Sequence, residues 1–262
     1  MAQFTTLYSG SSGNCGVVLS GGHYLMVDMG KSCRITTNGL KELGLAIDDC
    51  QGILVTHEHS DHVSGLQVFL KHHNIPVYST EETLDALTMK GILQPGTEAI
   101  AIGSRTEDIG DFSVTAFPTS HDVPCCGYRI RTPEGSVMTI ATDLGVLTPA
   151  VNVNLTGVDL VALESNYDPI SLRHSSYPYY LRSRIESARG HLSNPDCAAK
   201  ILELMQQGCK KFALCHLSQE NNTPQKALAE VQLALIQAGI TPGPDVIVQA
   251  MHRSQVSSWI SF

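Results

Sequence analysis

The segment Thr56-His57-Glu58-His59-Ser60-Asp61-His62 restricts what this chain can become more than any other part of it. It follows the apolar run Gly52-Ile53-Leu54-Val55, so three imidazoles and two carboxylates crowd one loop at the end of an expected buried strand. Histidines packed together without a metal leave polar groups poorly satisfied and repel one another at low pH. A divalent ion accounts for the crowding, since imidazole nitrogen and carboxylate oxygen are good ligands for Zn, Mn or Fe. His57 and His59, two apart, point the same way along an extended segment. A turn after Ser60 lets Asp61 and His62 face a second ion, so one segment can serve two metals. The alternative is a polar turn whose histidines are incidental.

The chain has 262 residues, 42% of them hydrophobic, which is enough for one sizeable core and a single domain over residues 1–262. A net charge of -8 argues against a generic polyanion binder but leaves room for a local basic patch. The eight cysteines form no CxxC pair and read as reduced, mostly buried thiols of a cytoplasmic protein. No secretory signal is expected at the N-terminus, and no stretch approaches the ~18 apolar residues of a membrane span.

Apolar runs bounded by turn residues predict strands over 17–20, 24–28, 52–56, 112–117, 128–131, 137–142 and 246–249. Thr148-Pro149, Asn194-Pro195 and Thr223-Pro224 each place a capping side chain before a helix-starting proline. Ala198, Ile201, Leu202 and Met205, and then Ala227, Leu228, Val231, Ala234, Leu235 and Ala238, recur at helical spacing. Interleaved strands and helices predict an α/β layered fold.

The pattern His57-x-His59-x-Asp61-His62 resembles the signature of the metallo-β-lactamase superfamily, notably its nuclease and phosphodiesterase branches with RNase Z and RNase J. Ser120-His121-Asp122, Ala141-Thr142-Asp143-Leu144-Gly145, Leu163-Glu164-Ser165, Gly190-His191-Leu192-Ser193 and Cys215-His216-Leu217-Ser218 match further segments. The YycJ/WalJ family of metallohydrolases is closer still and resembles nearly the whole chain. Ser9–Asn14, 163–168, 190–194 and 216–224 carry that resemblance. One departure is Tyr167, where the family pattern leads us to expect histidine.

The resemblance implies a four-layer αββα metallo-β-lactamase sandwich. It implies one metal held by His57, His59, His121 and Asp143, and a second held by Asp61, His62, His216 and the shared Asp143. Asp61, His191 and Glu164 are the expected catalytic residues, the last two as a proton-handling pair. Asp28 either braces the His57 loop through hydrogen bonds or is a plain strand-end turn. Ser9–Asn14 is a glycine-rich turn between strands, either an anion nest or an ordinary hairpin. His72 and His73 are expected late in a helix, and Cys125 and Cys126 as packing residues. Between Glu164 and His191 the chain carries Arg173, Arg182, Arg184 and Arg189 together with Tyr177, Tyr179 and Tyr180. Arginine pairs with phosphate and tyrosine stacks on bases, although an ordinary solvated helix carries the same residues.

Three functions follow as expectations. The first is a two-metal phosphodiesterase acting on nucleic acid; the resemblance implies a DNA exonuclease, 5′-to-3′ in direction, while the residues alone leave RNA and internal cleavage open. The second is hydrolysis of a small ester, thioester, lactone or cyclic phosphodiester on the same scaffold. The third is a metal-bearing regulatory module without catalysis, against which the intact ligand set weighs.

Overall fold

A computed structural model describes residues 1–262. One seven-stranded sheet contains β1 (Gln3–Gly10), β2 (Gly13–Ser20), β3 (His23–Val27), β4 (Cys50–Leu54), β5 (Val77–Ser79) and β6 (Ala99–Ala101). The other contains β7 (Glu107–Ile109), β8 (Phe112–Pro118), β9 (Cys126–Arg131), β10 (Val137–Ala141), β11 (Leu160–Glu164), β12 (Lys211–Cys215) and β13 (Ile247–Ala250). The last strand, β14 (Ile260–Ser261), returns to pair with β1 at the edge of the first sheet. Helices α1 (Cys33–Glu42), α2 (Ser60–Val63), α3 (Leu66–Leu70) and α4 (Glu81–Met89) belong to the first half, and α5 (Pro149–Leu155), α6 (Pro169–His174), α7 (Tyr179–Ile185), α8 (Asn194–Gln206) and α9 (Pro224–Gln237) to the second.

Three hydrophobic clusters define the layers. Phe4, Val18, Leu25 and Leu54 of the first sheet meet Phe112, Tyr128, Met138 and Leu160 of the second, so the sheets pack face to face. Alternate residues of the same strands point outward. Val17, Met26 and Ile53 pack under Leu40, Phe69 and Leu87, while Val161, Leu163 and Leu214 pack under Val151, Ile201 and Val231. Strands buried on both faces show a continuous apolar run, as Leu160–Glu164 does. The result is the expected αββα sandwich.

The expected strands form, within a few residues at their ends. Thr148 and Thr223 cap α5 and α9, each accepting a backbone N–H three residues on. The third cap is a correction. Ser193, one residue before the expected Asn194, accepts the N–H of Asp196 and caps α8. The carbonyl oxygen of the Asn194 side chain accepts from the Ser165 hydroxyl instead. His72 and His73 follow α3 in a turn rather than ending a helix, because that helix closes at Leu70.

Strands β3 to β6 run parallel, and so do β10 to β13. In such sheets, residues just beyond the carboxyl ends of the strands gather in one crevice. Leu54 pairs with Val27, Ala141 with Leu163, and Glu164 with Cys215, so the strand ends are level. Gly30 fixes the approach of the His57 motif. A Cβ there would stand 1.7 Å from the carbonyl oxygen of Asp61. Gly30→Ala is therefore expected to cost about 3 kcal/mol, the upper end for overpacking; a denaturation midpoint within error of wild type would contradict the close packing.

Candidate metal centre

Every site residue expected from the sequence lies around one cavity of about 290 Å³ or directly behind its wall. His57 emerges after β4, and Asp61 and His62 occupy the first turn of α2, for which His59 is the N-cap. The turn expected after Ser60 is thus a helix start. His121 comes from the loop between β8 and β9, Asp143 from just beyond β10, and His216 from the residue after β12. Only three non-glycine residues have left-handed backbone, and all are here: Asp28 (φ 64°), Asp143 (φ 57°) and His216 (φ 56°). Such conformations are costly for L-residues and persist where surrounding structure imposes them, often at functional sites.

Four overlapping groups of side chains could hold a metal ion, two of them, His57-His62-Asp143 and Asp143-Glu164-His191-His216, containing Asp143. His57, His59 and His121 form one triad, and Asp61, His62 and His216 another. Asp143 stands between them. Its Oδ1 is 3.8 Å from His121 Nε2 and 3.6 Å from His216 Nε2, and its Oδ2 is 3.3 Å from His62 Nε2. Oδ2 is nevertheless buried without hydrogen-bond geometry to any partner. Burial opposes charge on Asp143, yet the imidazoles of His216, His62 and His57 outweigh it and hold the carboxyl well below its usual range. An ionised, buried carboxylate with an unsatisfied oxygen inside a ring of imidazole nitrogens is the donor set of a divalent cation site.

The rings of His62 and His216 are oriented from behind. Asp28 accepts from the Thr56 N–H at 2.8 Å and from His62 Nδ1 at 2.8 Å, so Asp28 braces the motif. Burial disfavours a charged His62, but Asp143 and Asp28 outweigh it and raise its pKa. Asp28→Ala should lower metal affinity about 10–100-fold, the usual cost of losing such support; unchanged affinity by calorimetry would reduce Asp28 to a turn residue. His216 Nδ1 donates to Glu164 Oε1 at 2.6 Å, and His191 Nδ1 donates to the same oxygen at 2.8 Å. The second oxygen, Oε2, accepts the N–H groups of Leu144 and Leu192. Glu164 is fully buried. Burial works against its charge, but His191 and His216 prevail and hold its pKa down to about 2. Both imidazoles thereby turn Nε2 away from Glu164.

Four further residues enter the site that sequence reasoning did not assign. Asn14 Nδ2 lies 3.1 Å from His62 Nε2, the Ser9 hydroxyl accepts the His216 N–H, and the Asn166 amide donates to the His216 carbonyl. All three lie within segments that carry the family resemblance. Asp122 Oδ1 lies 3.2 Å from His121 Nε2 and 3.5 Å from His59 Nε2, while Arg184 pairs with its other oxygen. Its only signal was adjacency to His121. Cys125, expected as packing, is buried with its Sγ 3.5 Å from His57 Nδ1. Tyr167 is buried.

The segment with arginines and tyrosines divides. Tyr177, Leu181, Arg184 and Ile185 line the cavity, so α7 roofs it. Tyr179 and Tyr180 stay exposed. Arg182 donates to the Arg173 carbonyl, and Arg189 to the carbonyls of His121 and Asp122. No helix of the structure is long and apolar enough to cross a membrane.

The beta-lactamase superfamily domain matches residues 25–216. The chain is 33% identical over 242 residues to the exodeoxyribonuclease YycJ of Bacillus anthracis, covering 92% of each protein. It is 31% identical to the exodeoxyribonuclease WalJ of Streptococcus pneumoniae, covering 93% of this chain and 91% of that one. Among solved structures, the metallo-beta-lactamase fold protein YhfI from Bacillus subtilis superposes with a TM-score of 0.72 at 17% identity, over 98% of both chains.

Proposed function

This chain belongs to the YycJ/WalJ family of metallo-β-lactamase-fold metallohydrolases, and from that premise we propose a two-metal phosphodiesterase that degrades nucleic acid, a DNA exonuclease working 5′-to-3′. The observation that carries the reading is the convergence of two ligand triads on Asp143 beside the Glu164–His191 pair. His57, His59, His121 and Asp143 would hold one ion (Zn, Mn or Fe), and Asp61, His62, His216 and Asp143 the other. Bound there, a metal pair would supply an activated water and charge stabilisation for the phosphoryl group and the leaving oxygen.

The protein's own groups do the rest. His191 Nδ1 is anchored on Glu164, so Nε2 serves the substrate. Glu164 orients the ring so that His191 can hand a proton to the departing oxygen. Arg184, on the roof of the cavity, provides positive charge for a phosphate. The two relatives named as exodeoxyribonucleases favour DNA. Eight unpaired cysteines support a cytoplasmic location.

Elemental analysis of reconstituted protein should find two ions per chain; at most one would reject the shared-Asp143 arrangement. End-labelled single- and double-stranded DNA and RNA then test the activity. DNA should shorten from its 5′ end, and binding should weaken steeply with salt as phosphate contacts are lost. Internal cuts independent of ends, or RNA cleaved in preference, would reject the exonuclease assignment.

A further inference from the structure

A larger cavity, of about 470 Å³, adjoins the metal centre and plays no part in the chemistry above. The two cavities meet at His121, which lines both. The loop that divides them is closed by the Thr119 N–H donating to the Cys125 carbonyl. His121 lies on this loop, together with Val123 and Pro124, which wall the second cavity. Its surface is mainly apolar, with Phe117 and Pro118 completing the wall.

Its lining also carries polar side chains, those of Thr80, Glu82, Ser104 and Thr119 among them. Thr119 has a buried hydroxyl with no hydrogen-bond partner. Arg189 stands at the junction with the metal centre. Its Nε and Nη2 are fixed on the carbonyls of His121 and Asp122, both at 2.9 Å, which holds the guanidinium in place. A fixed cation beside the centre suits a backbone phosphate. Apolar walls with hydroxyls beside them suit an aromatic heterocycle of any identity.

We propose that this cavity receives the nucleobase of the terminal nucleotide next to the scissile bond, so that the protein acts on an unpaired end. The proposal rests on the nucleic-acid reading above and names the form of substrate that reading requires. A base lodged there cannot remain paired, and the hydroxyls can donate or accept, so base identity matters little.

Gly103 on the rim gives a direct test. Its backbone is outside the left-handed region, and a Cβ there meets no atom within 4 Å. Gly103→Trp therefore obstructs the cavity without a clash at Cβ, and Ser104→Trp on the same rim is an independent obstruction. Metal-loaded protein is assayed on single-stranded DNA with a normal or an abasic terminal nucleotide, at the 5′ and at the 3′ end, with bis(4-nitrophenyl) phosphate as a small diester. For wild type, kcat/KM should favour the normal end by about 10-fold or more, the range of a stacked base. In both tryptophan variants this ratio should collapse toward one. Equal turnover of normal and abasic ends by wild type would overturn the base pocket and leave the nuclease reading standing, and this comparison needs no variant. Discrimination that survives both substitutions would place the base elsewhere and also overturn it. Hydrolysis of the small diester without cleavage of any oligonucleotide would remove the nucleic-acid reading and the pocket together.

Discussion

His191→Ala is expected to lower kcat on an unactivated phosphodiester by about 10²–10⁴-fold, the usual worth of general acid–base help. Metal content should not change. The ring binds Glu164 through Nδ1 and is partly exposed to the cavity, whereas His57, His62 and His216 are buried among carboxylates and one another. A general acid matters only when the leaving oxygen needs a proton. The loss should therefore shrink sharply on a nitrophenyl ester, whose leaving group departs unprotonated. Parallel kcat measurements on the two substrates decide the point. Equal losses on both would remove the proton-donor role, and loss of an ion from His191→Ala would make His191 a ligand.

Glu164→Ala should do more damage, and of more kinds. One carboxylate receives four N–H groups: two from the imidazoles of His191 and His216 and two from the backbone of Leu144 and Leu192. Removing it leaves these donors without their partner in a fully buried place, a loss of about 3–5 kcal/mol in unfolding free energy. The effects on His191 and His216 should appear together, as a fall in turnover like that of His191→Ala and a roughly 10–100-fold weaker second metal. The pH dependence has a definite sign. The folded pKa of Glu164 is held down to about 2 against an ordinary value of 4.5. Its stabilisation is complete above the unfolded value and fades as pH falls from there toward the folded one. Urea denaturation of the metal-free protein across that window should show a shallower acid slope in Glu164→Ala than in wild type. Matching slopes would contradict the depressed pKa of Glu164, and metal affinity equal to wild type would show that Glu164 serves His191 alone.

The two variants also show how far the sequence reaches. The run from His57 to His62 was readable because its chemistry is local: donor atoms a few residues apart cannot avoid meeting. Strands such as Val137–Ala141 and caps such as Thr223 were readable for the same reason, since alternation and a hydroxyl before proline act over a few bonds. Short strands such as Val77–Ser79 carry too few residues to show a period, and they exist because a neighbouring strand supplies their hydrogen bonds. His121, Asp143, Glu164, His191 and His216 were reached only through family resemblance, because 21 to 155 residues separate them from one another or from Asp61. The cap of α8 was misplaced by one residue because Ser193 and Asn194 are both good caps, and the choice between them was made by Ser165, a distant partner.

The sequence by itself determined that this chain carries a histidine–carboxylate metal motif on an α/β scaffold. The tertiary structure alone decided that Glu164 orients His216 as well as His191, that Asp122 faces His59 and His121, and that a second cavity opens beside the candidate metal centre. The reason is physical: hydrogen-bond geometry and empty space are properties of groups brought together from level strand ends. No local pattern of residues encodes a distance between segments that meet only when the two sheets pack.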